Sequence, residues 1–153
     1  GAEEVTYVNA PGLAASRGIT SSADSDPVSP EYRSMISLHC ALANGKSITV
    51  DGTLMGIRKV EKIIAIDGFD LDLPPTDNLL FLRYVDRPGV VGAVGNALGK
   101  AGINIAGMQV ARASAGGDAL MSITVDSPVS DAIVSAVAKE TGADLVRSVS
   151  LVN

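Results

Sequence analysis

Alternating apolar residues, two stretches of helical spacing and sharp Gly/Pro turns predict an α+β chain in two parts. Residues 1–74 read as a partial antiparallel-sheet domain, and 77–153 as a ferredoxin-like βαββαβ domain. Three observations carry this reading. Four runs between Tyr32 and Leu73 repeat every second residue, with turn signals between them. Pro74-Pro75-Thr76 then makes a stiff, extended spacer with little to bury. After it, the spacing goes from strand to helix, to two strands, to helix and to strand, which is the order of a split βαβ fold.

The first part begins with Glu3-Glu4 and a short apolar run, Val5 to Val8, whose spacing does not separate strand from helix. Ala10 to Arg17 predicts a short helix, with Pro11 near its start and Gly18 just after it. Thr20 to Pro30, rich in Ser, Asp and Pro, reads as an exposed loop. Tyr32 to Leu42 places Ile36, Leu38, Cys40 and Leu42 on one strand face. Asn44-Gly45 predicts a type I′ hairpin, which needs positive φ at both residues. Ile48, Val50, Gly52 and Leu54 follow on the return strand, then Val60 to Ile66 with Ile64 and Ile66 inward. Asp67-Gly68 turns the chain into Phe69, Leu71 and Leu73. Such a sheet needs more helical cover than residues 10–17 provide, so the domain reads as incomplete at its N-terminal end.

The second part opens with Leu79 to Val85, where Leu80, Leu82 and Tyr84 share one face. Asp86-Arg87-Pro88-Gly89 ends that strand. Val90, Val91, Val94, Ala97, Leu98 and Ala101 then fall at helical spacing, with Gly102 as the stop. Ile103 to Ala113 is the second strand, Ser114 to Asp118 a hairpin loop, and Ala119 to Val125 the third strand. Ser130 is placed to cap a helix striped by Ile133, Val134, Val137 and Ala138, and Ala143 to Val152 closes the sheet. Free N–H groups at a helix start attract a carboxylate, and Asp86 and Asn104 offer polar atoms to an ammonium or a hydroxyl. With all three near one edge of a β-α-β unit, a small zwitterion is the natural ligand.

Composition excludes several functions. A net charge of −5 argues against a nucleic-acid partner, and no apolar run has the length of a membrane span. The lone Cys40 and lone His39 are neighbours on a strand, so they face opposite sides; neither a Cys-His nucleophile nor a soft-ligand metal site can be assembled. Cys40 reads as a buried structural thiol, His39 as a surface or half-buried strand residue, and the setting as cytoplasmic. Gly89, Gly92 and Gly95 after a strand invite a dinucleotide-binding reading. Arg87, however, stands where that fingerprint needs Gly, and no ribose-binding acid follows the second strand, where Ala111-Arg112-Ala113 lie. No cofactor is therefore expected on this chain.

Asp86-Arg87-Pro88-Gly89 followed by Gly102-Ile103-Asn104-Ile105 resembles the signature of ACT domains, regulatory modules that bind amino acids. Asn9-Ala10-Pro11 through Arg17-Gly18, Ser29-Pro30, Asn44-Gly45 and Gly52-Thr53-Leu54 are similar to the intervening domain of long-form D-3-phosphoglycerate dehydrogenases. The resemblance implies the C-terminal regulatory part of an NAD-dependent enzyme of L-serine biosynthesis, acting together with catalytic domains of the same chain. It implies self-association through ACT domains and L-serine as a feedback effector at their interface. Tyr84, Asp86 and Asn104 carry over as effector-binding positions; side chain and backbone complementarity adds Gly89, Val90 and Val91. Some members bind an anion at a second site built of basic residues, but Asp70, Pro74 and Thr124 stand there in this chain, which predicts that site to be absent or weak. Two other readings stay open: the regulatory part of an iron-sulfur L-serine dehydratase, whose cluster cysteines are not seen, and a ligand-free interaction module.

Overall fold

The computed structural model describes residues 5–28 and 32–151. It divides into two units, 1–31 and 32–153, each described by itself. In the first, Val5 to Asn9 is neither strand nor helix. Thr6 and Asn9 exchange side chain–backbone hydrogen bonds at 2.7 and 3.3 Å and lead into α1 (Ala10–Ser16), with Pro11 in its first turn. No regular element follows up to Val28; the rest of the expected loop, at 29–30, lies outside the described residues.

The second unit holds two four-stranded antiparallel sheets. The first contains β1 (Met35–Ala41), β2 (Ser47–Met55), β3 (Val60–Ile66) and β4 (Phe69–Leu73), paired in chain order as a meander. Two of its three hairpins differ from each other in turn chemistry. At Asn44-Gly45 only Gly45 has positive φ, at +78°, so the type I′ expectation fails. The chain instead forms a three-residue loop, Leu42 N–H donating to Lys46 O at 2.8 Å and Gly45 N–H to Leu42 O at 3.0 Å. The Asn44 side chain accepts from Lys46 N–H at 3.0 Å, a local bond that holds the longer loop. The two-residue turn with positive φ at both positions is Asp67-Gly68, at +50° and +79°, and it pairs Ile66 with Phe69.

The remaining elements are β5 (Asn78–Val85), α2 (Val90–Lys100), β6 (Ile105–Arg112), β7 (Asp118–Val125), α3 (Asp131–Thr141) and β8 (Leu145–Ser150). Strand order β6-β7-β5-β8 is the ferredoxin-like arrangement, so the α+β expectation and its βαββαβ half hold. The apolar stripes of α2 and α3 pack with Leu80, Leu82, Met121 and Ile123 in one core, all fully buried. Gly102, φ +71°, ends α2: Ile103 N–H reaches Leu98 O at 2.9 Å and Gly102 N–H reaches Gly99 O at 3.0 Å, closing the orphan carbonyls. Ser130 heads α3 with its backbone carbonyl, which accepts from Val134 N–H at 2.9 Å; its side chain makes no cap bond.

The opposite face of this sheet meets β3 and β4. Ile66, Leu71 and Leu73 cluster with Leu79 and Leu120, and Gln109 exchanges two hydrogen bonds with the Asp72 backbone at 2.7 and 3.1 Å. Beyond this cluster the edge strand β1 is bare: Ile36 and Leu38 are 77% and 57% exposed, and Cys40 is half-buried rather than the buried thiol its strand pattern predicts. Beside it, His39 is exposed, its Nδ1 3.1 Å from Thr49 Oγ1.

Candidate functional site

The end of β5 and the turn into α2 build the site. Pro88 cannot extend the β5 ladder, so the chain leaves the sheet at Asp86 and reverses into α2 through Gly89. Tyr84 points to the helix side and is 3% exposed, yet its hydroxyl has no hydrogen-bond partner among the described residues. Burial, and then the Asp86 carboxylate, raise its pKa above the ordinary phenol value, so the hydroxyl stays a proton donor.

Asp86 is half-buried. Its N–H donates to Gly117 O at 2.8 Å, tying the turn to the β6–β7 loop, and its Oδ2 accepts from Arg112 Nη1 at 3.2 Å. Arg87, which also borders the cavity here, donates to Thr141 O at the C-terminal end of α3, where orphan carbonyls and the helix dipole favour a cation. The turn is thus clamped from both sides. Gly89 heads α2 with no side chain capping the first turn. A cavity of about 400 Å³ opens here, with Tyr84, Asp86 and Arg112 on its polar side and Pro88, Val91 and Val110 on its apolar side; Gly89 also borders it.

The expected site residues separate into two groups. Tyr84, Asp86, Gly89 and Val91 share the cavity, whereas Val90, 2% exposed, faces the core. Asn104 is not at this edge within one chain, contrary to the expectation that Asp86 and Asn104 flank one edge. Helix α2 carries the chain back along the sheet before β6 begins. Strand pairing makes the end of β6, Arg112, level with the end of β5, while Ile105 lies level with its start. Asp86 bonds at Gly117 and Asn104 at Asp126, so the two are separated by roughly 30 Å of strand at about 3.3 Å per residue. Asn104 closes the far end of β6–β7, its Nδ2 donating to Asp126 Oδ2 at 2.7 Å and its carbonyl accepting from Asp126 N–H at 3.2 Å.

Sequence reasoning passed over Arg112. No motif marks it, but counting residue pairs outward from the Ser114–Asp118 loop sets it opposite Ala119, which Tyr84 flanks from the other side. Of the second-site positions, Pro74 and Thr124 border a cavity of about 340 Å³ with no basic residue in its lining, while Asp70 lies at another cavity. Among the described residues no helix is long and apolar enough to cross a membrane, and no group of His, Cys, Asp and Glu is placed to hold a metal ion.

Residues 78–142 match the profile of the ACT domain. D-3-phosphoglycerate dehydrogenase of Mycobacterium tuberculosis is 38% identical over 149 residues, 97% of this chain. The enzymes of that name from Bacillus subtilis and Synechocystis are 38% and 34% identical over 85% and 92% of it. The chain spans only 28% of the length of the mycobacterial relative, and 24% and 25% of the other two. Residues 78–142 are an ACT domain, and the chain as a whole is homologous to part of the D-3-phosphoglycerate dehydrogenases.

Proposed function

We propose that this chain is the C-terminal regulatory part of a D-3-phosphoglycerate dehydrogenase and binds L-serine as a feedback effector, itself performing no chemistry. The catalysis, NAD-dependent and cytoplasmic, belongs on this reading to other domains of the intact protein. The observation that carries the reading is the cavity beside the Asp86–Gly89 turn. It combines a carboxylate for the ligand ammonium, an uncapped helix start for its carboxylate and an unpartnered Tyr84 hydroxyl, around a volume of about 400 Å³.

Asn104 enters through a second copy. Among the described residues, strand β6 is an edge strand paired only with β7. Two copies joined side by side through β6 run antiparallel, which sets the start of one strand against the end of the other. Asn104 of a second copy then reaches the Asp86 end of the first, which explains how residues far apart in one chain serve one ligand.

Calorimetric titration of the 153-residue chain with L-serine, with L-leucine as control and light scattering to give the mass, tests this. A saturable serine signal from a dimer is expected, with none from leucine. A dimer that ignores serine leaves the interaction-module reading in its place.

A further inference from the structure

Two arginines, Arg87 and Arg112, border the cavity, and Arg83 lies on the other face of β5. Arg87 is bonded to the end of α3, and Arg83 pairs with Asp118 at 3.4 Å while lying over the Phe69 ring. Arg112 alone brings a guanidinium to the cavity with a side chain, Asp86, as its partner. We infer that Arg112 is the carboxylate-binding residue of this site, and that an α-amino acid binds by inserting its ammonium and carboxylate between Asp86 and Arg112. The inference rests on the amino-acid reading above and adds the residue that recognises the acid end.

The chemistry is one of exchange. A free α-amino acid carries opposite charges on a single carbon, matching an acid and a base held 3.2 Å apart. Opening the pair costs little, because the side chains of Arg112 and Asp86 are 59% and 21% exposed and solvent screens their attraction. The ligand restores a partner to each: its ammonium to Asp86, its carboxylate to the planar guanidinium, which takes a carboxylate through two parallel N–H bonds. The Tyr84 hydroxyl, with no partner among the described residues, is a third polar group at the cavity for the ligand to satisfy. An amine without a carboxylate gains only one contact and must compete with Arg112 for Asp86.

That competition gives a test with opposite signs. The full 153-residue chain and its Arg112→Gln variant are titrated calorimetrically with L-serine and with ethanolamine, which keeps the ammonium and hydroxyl and lacks the carboxylate. Arg112→Gln should weaken serine roughly tenfold to a hundredfold, the loss of charge-assisted hydrogen bonds, while ethanolamine binds as well as before or better. Arg112→Lys should recover part of the serine affinity through its point charge. Unchanged serine affinity in Arg112→Gln overturns the assignment and leaves amino-acid binding intact. Equal losses for both ligands overturn it as well, because Arg112 then only shapes the turn. A wild-type chain that binds no serine removes the amino-acid reading and this inference with it.

Discussion

The two sheets are written in the same alternating pattern and are buried very differently. In β5–β8 the helix-side residues Leu80, Leu82, Met121 and Ile123 are fully buried beneath α2 and α3. In β1–β4 burial is borrowed: Ile66, Leu71 and Leu73 are covered where β3 and β4 meet Leu79 and Leu120 of the other sheet. On β1, Ile36 and Leu38 alternate as regularly and stay exposed. Alternation specifies a strand and its two faces; what lies over a face is a separate matter of tertiary cover. The candidate site belongs to the well-covered sheet, where the core lies beneath the Asp86–Gly89 turn and Arg87 clamps it to α3.

The largest effect expected from this contrast is at the core. Leu82→Ala should cost about 2–5 kcal/mol, a transfer term plus a cavity in a closed site. Leu38→Ala, on the same pattern but 57% exposed, should stay within about 0.5 kcal/mol of the parent. Denaturant midpoints for the two variants measure the difference, and comparable losses would mean that the β1 face is covered in solution.

A smaller effect sharpens the boundary between the sheets. Ser122, 1% exposed, lies on β7 beside the cavity between the two sheets, and its hydroxyl has no partner. Ser122→Ala should be neutral or stabilising by up to about 1 kcal/mol, since it removes an unsatisfied buried group. A melting temperature several degrees lower would show that the hydroxyl is bonded after all.

The same contrast explains what the residues revealed unaided. The βαββαβ order was legible because strand and helix spacings alternate cleanly and Gly102 supplies a stop that only one local geometry satisfies. Asp67-Gly68 behaved as a two-residue turn. Asn44-Gly45 did not, because the Asn44 side chain bonds forward to Lys46 and supports a longer loop. At the site, Tyr84 and Asp86 were legible as neighbours on one strand and its turn. The position of Asn104 was not, because proximity along a β-α-β unit hides the length of the returning helix. Arg112 was hidden for the converse reason: it is distant along the chain, and only strand register brings it to Asp86. Cys40 shows the limit of a strand pattern, which cannot say that its face will be bare.

The central claim is that a small amino acid seats at the β5–α2 turn rather than in the meander or between the sheets. Backbone amide NMR shifts recorded during an L-serine titration test it most directly. The account predicts changes concentrated at Asp86 to Val91 and at Arg112, with Asn104 following through a second copy, while β1 and β2 stay still. Serine-dependent shifts confined to residues 35–73, or to the cavity at Thr76 and Ser122, would contradict it.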